Sequence, residues 1–307
     1  MAGRIDAVGD GVSLIHLTPS LEGFEGFLGA WFAAGPPAFL VDVGPGSTAG
    51  QLLQALDALG VTRLDYILIT HIHLDHAGAI GRVSERFPQA RVVCHENAIA
   101  HLVDPARLWA GARKVLGPVA DGYGPMDPVP PGRFIAAHEF AAGGISALIT
   151  PGHAPHHVSY RTPGVLFAGE ACGVWYRFPG GEEYLRPATP PRFFADIALQ
   201  SIAALMACAP GRMAVGHLGL TDDGLGLLRR HRDQLLFWEQ WLAAHVQTPT
   251  GSDFLERARD GLLRVDPGLA AFGRFSPAAQ AREKYFLGNS ISGMLGWVSA
   301  GPTAHAL

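Results

Sequence analysis

The sequence predicts an α+β fold in which two β-sheets pack face to face with helices on their outer sides. Three observations carry this expectation. Short apolar or β-branched runs alternate with longer stretches of helical period, and the alternation occurs twice, in two strand-rich halves. With 307 residues, 48% of them hydrophobic and only 16% charged, the chain can bury a large core. Beyond Thr221 the character changes to long amphipathic helix.

In the first half, "GVSLIHL" (11–17), "FLGAWFA" (27–33) and "AFLVDVG" (38–44) are strands separated by Gly and Pro. "TAGQLLQALDALG" (48–60) carries Leu and Ala at helical spacing, ends in Gly, and feeds the strand "LDYILIT" (64–70). A helix to Phe87, the strand "RVVCHE" and helices around "AIAHLVD" and "ARLWAGARKVLG" follow. The second half has "RFIAAHEF", "ISALIT", "HVSYRT" and "VLFAGE" as strands, "FFADIALQSIAALMAC" as a helix and "RMAVGH" as a last strand. "GLGLLRRHRDQLLFWEQWLAAHV" opens a mostly helical tail. The expected division is 1–220 as one domain and 221–307 as a helical C-terminal extension packed on it.

A net charge of -4 offers no electrostatic footprint for a nucleic-acid backbone. No run reaches transmembrane length. "MAGRIDAVGDGVSLIHL" lacks the apolar core of a signal peptide. Cys94, Cys172 and Cys208 are odd in number and far apart, which suits a reducing compartment better than a disulfide framework. The expected setting is therefore the cytoplasm, with a small-molecule substrate and neither nucleic acid nor membrane as partner.

Histidine is the outlier, with 14 copies. "THIHLDHAGAIG" (70–81) places His71, His73, Asp75 and His76 in six positions directly after a strand. Side chains two apart on an extended chain point to the same side, so His71 and His73 can grip one ion. Asp75 and His76, at the start of the next helix, can be aimed at a second point nearby. Neutral imidazole and carboxylate are ligands for zinc and similar divalent metals. Further donors follow other strands next to glycines: His153 in "ITPGHAPHH", Glu170 in "LFAGE" and His217 in "AVGHLG".

These motifs resemble the metallo-β-lactamase superfamily over roughly residues 11–220, and the chain is identified as a member of it. The resemblance implies an αβ/βα sandwich of four layers. It implies a first metal held by His71, His73 and His153, and a second by Asp75, His76 and His217. It implies a metal-dependent hydrolase in which a metal-bridging hydroxide attacks an ester, thioester, lactone or phosphoester, with Asp75 orienting that hydroxide and taking up its proton. The implied cofactors are two divalent ions, zinc first, with iron or manganese as alternatives. Asp42, in "LVDVGPG", matches the family's early aspartate and would support the histidine loop without ligating. Glu170 stands where the family usually has a metal-bridging aspartate; it can still bridge, or it can serve one ion only.

His157 is either a supporting residue of this site or ordinary packing. His156 is expected to point away, His95 and His101 to be surface or packing residues, and His16, His138, His231, His245 and His305 are assigned nothing. Cys172 reads as a small buried thiol. Segments 108–125 and 174–191, rich in aromatics, Gly and Pro, are expected to roof the site, with Trp109, Tyr123, Tyr176 and Arg186 as pocket residues. The helical tail would cover the pocket or form a homodimer surface. Lack of an export signal argues against an antibiotic-degrading lactamase, the charge balance against an RNA-processing member, and His73 against a flavin-linked diiron reductase. "TPGHAPHHVSY" with "LRPATPP" resembles a group of bacterial and archaeal members. A mononuclear iron persulfide dioxygenase-like oxidoreductase and a degenerate metal-binding module are the alternative readings.

Overall fold

The computed structural model describes residues 3–246 and 253–300; His305 lies outside them. The first sheet has seven strands in sequence order: β1 (Ile5–Gly9), β2 (Val12–Leu17), β3 (Leu28–Ala33), β4 (Phe39–Val41), β5 (Tyr66–Leu68), β6 (Arg91–Cys94) and β7 (Phe134–Ala136). Strands β1 to β4 pair antiparallel, and β4 to β7 pair parallel through helical crossovers. These crossovers hold α1 (Ala49–Ala58), α2 (Leu74–Ala77), α3 (Ile80–Arg86), α4 (Glu96–Val103), α5 (Ala106–Leu116) and α6 (Pro118–Tyr123).

The second sheet runs β15–β14–β11–β10–β9–β8. In chain order its strands are β8 (Ala141–Ala142), β9 (Ile145–Ile149), β10 (Val158–Arg161), β11 (Leu166–Gly169), β14 (Met213–Val215) and β15 (Leu220–Thr221). Between them lie a separate hairpin, β12 (Val174–Arg177) and β13 (Glu183–Arg186), and helix α7 (Ala195–Ala207). Helices α8 (Gly224–His245), α9 (Phe254–Val265) and α10 (Pro277–Ala300) complete the described chain. Among the described residues no helix is long and apolar enough to cross a membrane.

The strands are apolar on both faces because both faces are covered. Leu14, Trp31, Val41, Leu68 and Val93 meet Val158, Tyr160, Phe167 and Ala214 of the other sheet. Their neighbours Ile15, Phe32, Leu40, Ile67 and Val92 point instead to the helices of the first half. On the far side Leu166, Ala168, Met213 and Val215 share one core with Leu227, Trp238, Leu262, Ile291 and Met294. The four-layer αβ/βα sandwich is therefore present, and the helical tail shares its apolar core with the second sheet.

Differences from expectation are local. "LDYILIT" and "RFIAAHEF" were expected to be whole strands, but pairing covers only Tyr66–Leu68 and Phe134–Ala136. Beyond Leu68 the chain leaves the ladder to build the histidine loop. The helix expected up to Phe87 is two helices, broken at Gly78–Ala79. Strand β1 lies outside the expected set.

Candidate metal centre

Every donor stands at the carboxyl end of a strand. Strands β4 and β5 run parallel in one sheet. Strands β9, β11 and β14 share a direction in the other, because β10 is antiparallel to both β9 and β11 while β14 is parallel to β11. Asp42, His71, His153, Glu170 and His217 follow these five ends, so two sheet edges meet there.

The histidine loop is held by groups that fix which nitrogen each ring turns inward. Asp42 is buried at φ 56°, a left-handed conformation that aspartate tolerates better than most residues. Its carboxylate accepts the Thr70 N–H at 2.8 Å and the Thr70 hydroxyl at 2.8 Å. With that hydroxyl proton committed to Asp42, Thr70 Oγ1 is the acceptor for His71 Nδ1–H at 3.0 Å. His76 Nδ1–H donates to Asp42 Oδ2 at 2.8 Å, and His153 Nδ1–H donates to the Ala188 carbonyl at 2.7 Å. All three rings therefore commit Nδ1 outward and turn Nε2 toward the centre. The loop backbone is tied further by Val158 N–H to the Thr70 carbonyl at 2.8 Å and Ile72 N–H to His156 Nε2 at 3.2 Å.

Donor atoms of His71, His73, His153 and Glu170 lie within 4.8 Å of one another, and so do those of Asp75, His76 and His217. Glu170 joins the two groups. Its Oε2 is 2.9 Å from His153 Nε2, 3.4 Å from His71 Nε2 and 3.5 Å from His76 Nε2. Its Oε1 is 3.0 Å from His217 Nε2. One carboxylate thus faces both groups.

The buried His71 Nε2, His76 Nε2 and His217 Nδ1 have no hydrogen-bond partner among the described residues. His153 Nε2 stands 2.9 Å from both His73 Nδ1 and Glu170 Oε2, a position that either a proton or a metal ion can hold. Burial, reinforced by the charges of neighbouring histidines, holds His71 well below its ordinary pKa, and burial first and His153 next bring His73 to about 4. Burial acts downward on His76 and His153 too. Asp42 and Asp75 outweigh it at His76, and Glu170 at His153, so both are raised. Burial opposes the charge on Glu170, but His153 and His217 outweigh it and hold the carboxyl well below its usual range. Imidazole nitrogens converging on an ionised carboxylate are a donor set that fits a divalent metal, whose binding displaces any proton they carry.

Gly169 shows how closely the Glu170 loop is fitted. It has φ 57°, and a β-carbon there would lie 2.4 Å from His157 Nε2. That nitrogen accepts the Glu170 N–H at 3.1 Å, while His157 Nδ1–H donates to Thr150 Oγ1 at 2.9 Å. His157 thus has both nitrogens occupied and orients the Glu170 backbone. Cys172 is a buried free thiol, pushed up to about 12 mainly by burial.

A cavity of about 650 Å³ opens onto His73, Asp75, His153, Glu170 and His217. Tyr123 and Arg186 line it; Trp109 and Tyr176 do not. On α5 the face bearing Leu108, Ala112, Val115 and Leu116 looks into the cavity. Trp109 is one step of about 100° around the helix from Leu108, and it packs near Arg113 instead. In segment 174–191 residues 174–186 fold as the β12–β13 hairpin, so only its far end faces the cavity. Tyr176 turns onto Phe178 and Phe275, and only Arg186 and Ala188–Pro191 reach the cavity. His156 also departs from expectation, since it lines the cavity while fixing Ile72. His101, Phe27 and α10 residues Phe286, Asn289 and Ser290 line it as well. The apolar stripe of α5 could have been found from its spacing. Nothing local in the sequence marks Phe286 or Ser290.

Residues 33–217 match the family model described as "Metallo-beta-lactamase superfamily". A metallo-β-lactamase fold-containing protein of Sulfurisphaera tokodaii is 27% identical over 201 residues, 62% of this chain and 74% of its own. A hydroxyacylglutathione hydrolase of Methylobacillus flagellatus is 28% identical over 243 residues, 76% of this chain and 82% of its own. A metallo-β-lactamase family protein from Thermus thermophilus superimposes with a TM-score of 0.66 at 20% identity, covering 96% of this chain and 95% of that one.

Proposed function

The chain belongs to the metallo-β-lactamase superfamily, and from that membership together with its donor geometry we propose that it is a metal-dependent hydrolase of acyl esters and thioesters. The observation that carries the reading is the pair of donor groups joined by Glu170 beside a large cavity. Similarity to hydroxyacylglutathione hydrolases, whose name describes cleavage of an acyl thioester, supports acyl transfer to water over phosphoester cleavage. Two full donor groups favour a dinuclear centre over one iron held by two histidines and a carboxylate. Three free cysteines suit a reducing compartment, and we place the enzyme in the cytoplasm.

His71, His73 and His153 would hold one ion and Asp75, His76 and His217 the other, with Glu170 between them. When bound, such ions lower the pKa of water from about 15.7 to about 7 and polarise an acyl oxygen. The chain supplies orientation and proton handling. Asp42 and Thr70 keep the Nε2 atoms of His71 and His76 inward. Asp75, whose side chain is 14% exposed on the cavity wall, orients the attacking water and accepts its proton at a carboxylate oxygen. The water oxygen bonds to the acyl carbon, the acyl C–O or C–S bond breaks, and the leaving oxygen or sulfur receives the proton.

The test is hydrolysis of p-nitrophenyl acetate and S-lactoylglutathione by metal-quantified protein. Turnover that is lost on chelation and restored by zinc is expected, and Asp75→Ala should lower kcat at least 1000-fold while circular dichroism stays unchanged. Wild-type turnover in a metal-loaded Asp75→Ala protein, or oxygen uptake with persulfide by iron-containing protein, would overturn the reading.

A further inference from the structure

The cavity carries two buried polar groups that the metal donors do not use. The Tyr123 side chain is 1% exposed and its hydroxyl has no hydrogen-bond partner among the described residues, although the residue lines the cavity. Leaving such a hydroxyl unpaired is costly, so it marks a place where a ligand atom is expected. Arg186 is 3% exposed and lines the same cavity. Its Nε donates to Glu283 Oε2 at 2.6 Å and its Nη1 to the Pro187 carbonyl at 3.3 Å; no hydrogen bond engages Nη2 among the described residues.

Charge counting points the same way. Glu283 is the one carboxylate that pairs with both Arg186 and Arg282 among the described residues, all three being buried. Two buried guanidiniums thus share one directly paired carboxylate, with Glu170 acting on Arg186 at longer range. Burial works against the charge on Arg186, but Glu283 and Tyr184 outweigh it and keep it a cation. The α5 face of Leu108, Ala112, Val115 and Leu116 lines the same cavity and is apolar.

We propose that Arg186 and Tyr123 form a carboxylate-binding subsite of this cavity, so that the hydrolysed substrate carries a carboxylate together with an apolar segment that lies against α5. The guanidinium offers an N–H at Nη2 and the phenol a second donor, and the two oxygens of a carboxylate can accept from both. This deepens the hydrolase reading and rests on it for the word substrate. Binding alone does not need turnover, which separates the two in the test.

The experiment compares octanoate with 1-octanol by titration calorimetry on the full, metal-quantified chain, and mono-p-nitrophenyl adipate with p-nitrophenyl hexanoate by kcat/KM. The wild type should favour the carboxylate member of each pair at least tenfold. Arg186→Met should bring both preferences down by at least tenfold at unchanged metal content, and Tyr123→Phe by about threefold. Because Tyr123→Phe removes an unpaired oxygen, it is expected to fold and remains decisive if Arg186→Met does not. Octanoate preference without turnover of either ester would defeat the hydrolase reading and leave the subsite standing. Absence of carboxylate preference in the wild type, or preferences unmoved in Tyr123→Phe and in any folded Arg186→Met, would overturn the subsite.

Discussion

The inner end of the cavity and its outer walls are built on different principles. At the inner end His71, His76 and His153 each have their outward nitrogen committed to a hydrogen bond, and His157 has both nitrogens committed. At the outer end α5 contributes an apolar stripe in which no side chain is fully buried, and α10 contributes Phe286, Asn289 and Ser290. Directional bonds fix atoms; apolar contacts fix only volume. Substitutions at the inner end should therefore cost whole functions, and those on the walls should change which substrate is preferred.

Asp42→Ala should give the largest effect outside the donors themselves. It removes the acceptor for Thr70 N–H, the Thr70 hydroxyl and His76 Nδ1 together, leaving buried donors unpaired and two rings free to turn. Loss of such a supporting group typically costs about 10–100-fold in metal affinity; competition with a zinc chelator measures it. An affinity within twofold of wild type would show that the loop holds its rings without Asp42.

Two residues on α5 sharpen the contrast between wall and packing. Leu116→Ala, on the cavity face, should raise KM for p-nitrophenyl hexanoate several-fold with little change for the acetate. Trp109→Ala, off that face, should alter thermal stability by about 1–3 kcal/mol and leave the ratio of the two esters unchanged. A KM ratio that responds to Trp109 and not to Leu116 would reverse the assignment of faces.

The same contrast explains what could be read in the sequence. Few residue types bind metal, and each donor follows a strand and a turn, so His71, His73, Asp75, His76, His153, Glu170 and His217 stand out from composition and spacing. The two-sheet architecture is legible for the same local reason, because periodicity switches at each element. The walls are not. Trp109 and Tyr176 are aromatic residues near the site in sequence, but a helix step of about 100° and a hairpin turn them elsewhere. The α10 residues are remote in sequence and come to the cavity only through tertiary packing. His156 is legible as an imidazole and not as a cap for Ile72 N–H, since that bond joins two loops 84 positions apart.

The central claim is that Glu170 binds the two donor groups into one dinuclear centre, and metal counting on a single variant tests it most directly. Protein purified without added metal should contain close to two divalent ions per chain, and Glu170→Gln, of nearly the same size but neutral, should retain about one with at least a 100-fold lower kcat, because an amide is a poor bridge between cations. Two ions and an unchanged rate in Glu170→Gln, or a single iron in the wild type, would contradict it.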